Sequence, residues 1–244
     1  MADVQCPLRA AALISPHEVA LVVGDSPLRF YELDLRVSEA VGRLREAGLR
    51  EGDRIGLFLP PDERMIILLL AVLRLGAVAC PLSLRWPRDA VRQALTRLGA
   101  AAVIAQAAAD PASPWQVLQP EPLLVPGAAV ASWNGLLSLD RPATVVFTSG
   151  SQGHPKAALH SFGNHYYSAR GANANLRVRS GDRWLLALPL CHVGGLGIVF
   201  RCLLGGAAMV LPAGQPDLHD AVVETKATHV SMVGTQLRRL LDRE

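Results

Sequence analysis

Apolar and polar positions alternate along this chain in two distinct rhythms, and the rhythms take turns. Leu33, Val37, Val41 and Leu44 recur at helical spacing, and Gly48 stands where such a helix would be capped. Arg54 to Leu59 reads as a strand that Pro60-Pro61 stops, and Glu63 to Leu75 as a helix apolar nearly all round. Val78 to Leu82 is the next strand, Arg88 to Leu98 the next helix, and Ala101 to Ala105 a further strand. Such a βαβα order predicts an α/β fold of layered, mostly parallel sheets flanked by helices.

Residues 106–141 break the rhythm. They hold five prolines, at 111, 114, 120, 122 and 126, among many alanines, and read as irregular. Regular structure resumes at Thr144. The pattern then predicts a helix over Phe162 to Ala174, a strand over Trp184 to Leu188 and a helix over Leu196 to Leu204. Strands follow at Ala207 to Leu211 and Thr228 to Val233, and a last helix begins at Leu237. The chain therefore divides into a first α/β portion (1–105), the irregular segment (106–141) and a second regular portion (142–244). No internal repeat is evident.

Composition narrows the class. In 244 residues, half are hydrophobic, enough for a sizeable core, and the net charge of +3 argues against a dedicated nucleic-acid binder. Arginine supplies nearly all the positive charge; Lys156 and Lys226 are the lysines. Arg36, Arg43, Arg45, Arg92 and Arg97 fall on helices and read as solvated faces. Cys6, Cys80, Cys191 and Cys202 share no C-x-x-C spacing, so neither a metal site nor a disulfide framework is indicated. The longest apolar run, Met65 to Leu73, falls far short of the ~20 residues that a membrane span needs, and the N-terminus has no signal pattern. A cytoplasmic protein is the expectation.

Two segments carry chemistry. In the first, the apolar run Val145-Val146-Phe147 leads into Thr148-Ser149-Gly150-Ser151-Gln152-Gly153-His154-Pro155-Lys156. Glycines let backbone N–H groups approach an anion closely, successive N–H groups form a concave anion site, and hydroxyls and a lysine add donors and a point charge. Triphosphate binding is the reading. It is not a Walker loop: Pro155 stands where a glycine would precede the lysine, and Ala157 replaces the magnesium-binding hydroxyl. Residues Lys156 to His160 read as a second short strand, not a helix start. The bland alternative is an ordinary Gly/Ser hairpin loop.

The second segment is Leu188-Pro189-Leu190-Cys191-His192-Val193-Gly194-Gly195-Leu196. A histidine at a strand-to-helix turn is placed to border a pocket above the sheet. It is equally placed to do no more than begin a helix. His160 and His165 read as surface residues, with a histidine facing the nucleotide as the alternative for one of them, Arg201 as a solvated helix arginine with a substrate carboxylate as the alternative, and Thr235 as an N-cap for the last helix.

The first loop resembles the phosphate-binding signature of the adenylate-forming ligases, the acyl-CoA synthetase superfamily: hydroxyl-hydroxyl-Gly-hydroxyl-x-Gly-x-Pro-Lys. Phe30-Tyr31-Glu32-Leu33, Gly52-Asp53-Arg54-Ile55 and Leu75-Gly76-Ala77-Val78 resemble further family junctions in the same order. The Pro189-to-Gly195 turn is similar to the family's Pro-x-x-His-x-x-Gly, with Cys191 where an aromatic is common. Ser161-Phe162-Gly163-Asn164-His165-Tyr166-Tyr167-Ser168-Ala169, the His192 turn and Thr228-His229-Val230-Ser231-Met232-Val233-Gly234-Thr235-Gln236-Leu237 resemble one branch, the o-succinylbenzoate–CoA ligases of menaquinone synthesis.

The resemblance implies the first part of the large N-terminal domain of such a ligase, using ATP, Mg2+ and coenzyme A on a small carboxylic acid through an acyl adenylate. It assigns Thr148, Ser149, Gly150, Ser151, Gly153 and Lys156 to the phosphates, and His192, Gly194, Gly195, Thr235 and Arg201 to the acid. Lys156 and His192 are the expected catalytic residues, and no side chain is assigned to a metal. The family's adenine, ribose, hinge and C-terminal lysine segments are expected beyond Glu244. The expectation is thus a piece of a longer enzyme, with no C-terminal domain, inactive alone. Rival readings are a ligase for another aryl or fatty acid, a folded non-catalytic fragment, and a kinase, which would start a helix at Lys156. The sequence leaves the oligomeric state open.

Overall fold

The computed structural model describes residues 2–106, 113–128, 133–148, 156–214 and 216–242. In chain order the elements begin with β1 (Asp3–Gln5), α1 (Pro7–Ile14), β2 (Val19–Val23), β3 (Ser26–Arg29) and α2 (Phe30–Glu46). The chain continues through β4 (Arg54–Phe58), α3 (Glu63–Leu75), β5 (Val78–Pro81), α4 (Arg88–Leu98) and β6 (Ala102–Ala105). Next come β7 (Gln116–Leu118), α5 (Pro120–Leu123), β8 (Leu136–Ser138), β9 (Pro142–Thr148), β10 (Lys156–Ser161) and α6 (Phe162–Leu176). The last are β11 (Arg183–Leu185), α7 (Val193–Gly205), β12 (Ala208–Leu211), α8 (Leu218–Thr225), β13 (His229–Val230) and α9 (Gly234–Leu241).

These elements form two compact units that do not follow the three successive portions read from the sequence. One comprises residues 1–6 and 34–164, the other 7–33 and 165–244, so the chain changes unit just before α1, inside α2 and inside α6. The first unit holds a six-stranded sheet in the order β10-β9-β5-β4-β6-β7. Every pairing in it is parallel except β9–β10, which is antiparallel. A separate two-stranded ribbon pairs β1 with β8.

Local chemistry explains the helix ends of this unit. The Asp62 carboxylate accepts the Met65 N–H at 3.1 Å and caps α3. Gly76 ends that helix at φ 89°, in the left-handed region that glycine enters without a Cβ clash. Gly48 follows α2 at φ 87° and donates its N–H to Arg45, as the sequence predicted. Eleven consecutive residues of α3, Met65 to Leu75, are buried, which accounts for the all-round apolar pattern. Arg74 is among them. Its guanidinium pairs with Asp34 at 2.5 Å, bonds Ser38 Oγ at 2.7 Å and lies over the Trp133 ring. A charge buried there requires these partners, because desolvation without them is costly. On α4 only Ala94, Leu95 and Leu98 are buried, a single face, and Leu95 packs where a Cβ on Gly56 of β4 would collide at 2.6 Å.

The second unit holds a five-stranded sheet, β13-β11-β12-β2-β3. It too is parallel except at one edge, the β2–β3 hairpin. Trp184 and Met209 share one face; Leu185, Val210 and Val22 share the other, packed with Ala221 of α8. Alternation along the strands places these sets on opposite faces.

The expected α/β class and the mostly parallel sheets are both observed. Three details differ. Residues 106–141 contain β7, α5 and β8, short elements whose proline-rich surroundings hide their periodicity. The strands at Trp184 and Thr228 are shorter than predicted. The final helix starts at Gly234 and not at Leu237, since the Val233 N–H finds the Gln236 side chain at 3.0 Å.

Candidate active site

The phosphate-loop candidate sits on a hairpin in the first unit. β9 is buried from Ala143 to Phe147 and runs parallel to β5; β10 returns antiparallel as an exposed edge strand. Thr148 and Lys156 are register partners across the two strands, and Thr148 Oγ1 approaches the Lys156 carbonyl at 3.4 Å. Both side chains are exposed. Phe147 anchors the strand end, with Trp86 edge-on at 5.4 Å. Thr148 therefore stands at the carboxyl end of the parallel strands, where open α/β sheets bind ligands. Ser149, Gly150, Ser151 and Gly153, with Gln152, His154 and Pro155, lie outside the described residues.

Lys156 opens a strand. A P-loop kinase would open a helix at this point, so the observed hairpin removes that reading.

The helix after the hairpin starts by a reciprocal cap. Asn164 N–H donates to Ser161 Oγ at 3.2 Å, while Ser161 N–H donates to Asn164 Oδ1 at 2.9 Å. Gly163 fits because any Cβ there would stand 2.8 Å from the Leu139 carbonyl oxygen. His165, expected at the surface, is instead 7% exposed and stacks on Phe200 at 4.7 Å. Its ring fills space between α6 and α7, so the expectation is corrected. His160, also expected at the surface, is half-buried on β10.

The second unit carries the His192 turn. His192 is the N-cap residue of α7, with extended backbone (φ −123°, ψ 150°) and an exposed imidazole that does not cap the helix. The Gly195 and Leu196 N–H groups donate to its carbonyl at 3.1 and 3.2 Å. Gly195 has a steric reason: a Cβ would lie 2.3 Å from the Pro189 carbonyl oxygen. Gly194 has a milder one, with Leu188 Cδ1 at 2.8 Å. The two glycines let the strand-end backbone press against the first helical turn. His192 thus begins the helix, as one of the two sequence readings has it, and its exposed imidazole stands at a helix N-terminus, which favours negative charge.

Arg201 lies nine residues along the same helix, roughly 13 Å at the α-helical rise. It is not a solvated arginine. Its guanidinium carbon stands 5.3 Å from the Trp184 ring centroid, and Nη2 reaches back beside Gly197. That Trp184 meets Arg201 went unread in the sequence; the available signal was the four-residue step from Gly197 to Arg201, since helical side chains lean toward the N-terminus. Thr235 is exposed in the first turn of α9, whose N-cap is Val233, so the N-cap reading of Thr235 is corrected.

Buried thiols play no part here. Cys80 and Cys202 are fully buried, and desolvation pushes Cys80 up to about 12 and Cys202 higher still. Asp217, His219 and Asp220 cluster at the start of α8, all exposed, and the Asp217 carboxylate caps that helix through the Asp220 N–H at 3.2 Å.

The profile of the AMP-binding enzymes matches residues 8–244. The chain belongs to the AMP-binding enzyme family. Among curated members of that family it is 32% identical over 237 residues to the 2-succinylbenzoate–CoA ligase of Bacillus pumilus, covering 95% of this chain and 49% of that relative. The corresponding Bacillus licheniformis ligase is 28% identical over 242 residues, with 96% and 50% covered. The chain spans about half the length of these AMP-binding relatives. Of solved AMP-binding structures, the o-succinylbenzoate CoA synthetase of Bacillus subtilis in complex with its acyl-adenylate intermediate superposes with a TM-score of 0.91 at 27% identity, over 100% of this chain and 65% of that one. The same enzyme with ATP and a magnesium ion gives 0.91 over 52% of its chain. The wild-type E. coli enzyme with a bound analogue gives 0.84 at 30% identity, over 98% of this chain and 52% of that one.

Proposed function

We propose that the whole protein is an ATP-dependent acid–CoA ligase acting on o-succinylbenzoate, a step of menaquinone synthesis, in the cytoplasm. A carboxylate oxygen attacks the α-phosphorus of ATP and the bond to pyrophosphate breaks, leaving the acyl adenylate. The thiol of coenzyme A then attacks the acyl carbon, AMP departs, and the thiol proton passes to solvent. The observation that carries this reading is the 142–161 hairpin. It brings Thr148 and Lys156 face to face at the carboxyl end of a parallel sheet, bracketing a seven-residue run rich in Gly and Ser.

In this reading Thr148, Ser149, Gly150, Ser151, Gly153 and Lys156 hold the β- and γ-phosphates. Such chemistry is chiefly positioning and charge stabilisation. Magnesium travels with the triphosphate and needs no dedicated protein cage. His192, Gly194, Gly195, Thr235 and Arg201 border the acid. The relatives named for 2-succinylbenzoate support that choice of acid.

A panel of acids tests the substrate assignment by CoA-thioester yield in the whole protein. o-Succinylbenzoate is expected to exceed benzoate, other aryl acids and fatty acids. Preference for a long-chain fatty acid would overturn the assignment.

A further inference from the structure

Arg201 is held by more than its own helix. Trp184 is 3% exposed on β11, and its indole N–H donates to Ser231 Oγ at 3.3 Å. That bond and the neighbouring His229 ring, 5.2 Å away on the adjacent parallel strand, fix the indole plane. The Arg201 guanidinium lies over this plane at 5.3 Å. Two further features shape its path. Gly197, one turn earlier, leaves open the lane that the guanidinium occupies, with Nη2 3.5 Å from where a Cβ would be. Asn173 Nδ2–H donates to the Arg201 carbonyl at 2.9 Å and ties the helix backbone to α6. Arg201 Nε is itself buried without a hydrogen-bond partner, so the aromatic face is what holds that end of the group.

We propose that Trp184 is a positioning residue for the acid. It preorganises the Arg201 guanidinium so that the free edge of the fork meets a substrate carboxylate without an entropic cost at binding. A planar, delocalised cation on an indole face keeps its fork in one orientation, which a lysine ammonium on the same stem does not. The consequence for the acid rests on the reading that Arg201 serves it; the holding of Arg201 by Trp184 does not.

Two measurements separate these. The Arg201 Nε–H resonance of the isotope-labelled 244-residue chain reports the stack directly. It is expected to be ring-current shifted and slow to exchange in the wild type, and to lose both properties in Trp184→Leu. An unshifted, fast-exchanging signal in the wild type would overturn the proposal whatever the acid. In the whole protein, Trp184→Leu is expected to raise the acid KM ~10-fold, within the range of a lost cation–π contact, with ATP KM within about twofold. Trp184→Phe, which keeps a smaller face, should raise it only ~2–4-fold and carries the test alone if the leucine variant does not fold. In an Arg201→Lys background either substitution should change the acid KM by less than about twofold. A parallel rise in ATP KM, or an undiminished effect in that background, would show Trp184 to be ordinary core and overturn the proposal. If Arg201→Lys alone leaves the acid KM unchanged while the resonance behaves as expected, the role of Arg201 at the acid fails and the positioning of its side chain stands.

Discussion

At the scale of single residues, neighbours decide which candidates are chemical and which are structural. His165 shows the structural case: a histidine that looks available in sequence is buried against Phe200. His192 shows the other, since its backbone begins α7 while its imidazole stays exposed. His192→Ala in the whole protein should raise the apparent constant for the acid roughly 3- to 10-fold, as for one lost hydrogen bond, and leave that for ATP nearly unchanged. Steady-state titration of each substrate checks this, and a change confined to ATP would move His192 to the nucleotide side.

The cysteines make a second prediction at this scale. Cys80 is pushed up to about 12 from an ordinary 9.0, so the folded state holds its proton while the unfolded chain releases it. The stability tied to that proton is complete below about pH 9 and declines as pH rises toward 12. Half-exposed Cys191 should therefore react with a thiol reagent in the native protein well before Cys80 or Cys202, which should label only on unfolding. Mass-spectrometric mapping of a timed reaction decides it; equal rates at Cys80 and Cys191 would contradict the burial argument.

At the scale of elements, close backbone approach explains the glycines that a motif alone leaves unexplained. Gly195 admits the Pro189 carbonyl, and Gly163 admits that of Leu139. Gly195→Ala forces a Cβ against backbone that cannot turn aside, and should destabilise the chain by about 1–3 kcal/mol, read as a lower urea midpoint at constant m-value. Gly127→Ala, at φ 87° with open space around it, should act only through backbone strain and cost less. An unchanged midpoint for Gly195→Ala would show that the turn relaxes freely.

Element by element, what was legible follows from physics. α2, α3 and α4 were readable because burial and capping leave a mark in the sequence: a 3.6-residue stripe, an all-apolar run, and Gly48 at the end. β1, α1, β2 and β3 went unread, since an eight-residue helix and strands of three to five residues carry too few periods to stand out. β7, α5 and β8 were hidden by prolines. The hairpin at Lys156 was readable from the apolar run before the loop and the short strand-like run after it. The cradle of Arg201 was not, because Trp184 meets it through helix packing, and His229 and Ser231 hold Trp184 through strand pairing, all far apart in sequence.

At the scale of the whole molecule, two α/β units are each built on a mostly parallel sheet, and the chain crosses between them three times, just before α1 and within α2 and α6. The residues read as phosphate-binding belong to one unit and those read as acid-binding to the other. Among the described residues no helix is long and apolar enough to cross a membrane. The central claim is that the loop between Thr148 and Lys156 serves a triphosphate during adenylation of the acid. The most direct test is o-succinylbenzoate-dependent pyrophosphate release from ATP by the whole protein, wild type against Lys156→Ala, with acid saturating. Release should depend on the acid and fall on the order of 10²-fold in the variant, as for loss of one preorganised charge at a transition state. Release at an undiminished rate in Lys156→Ala, or release indifferent to the acid, would contradict the account.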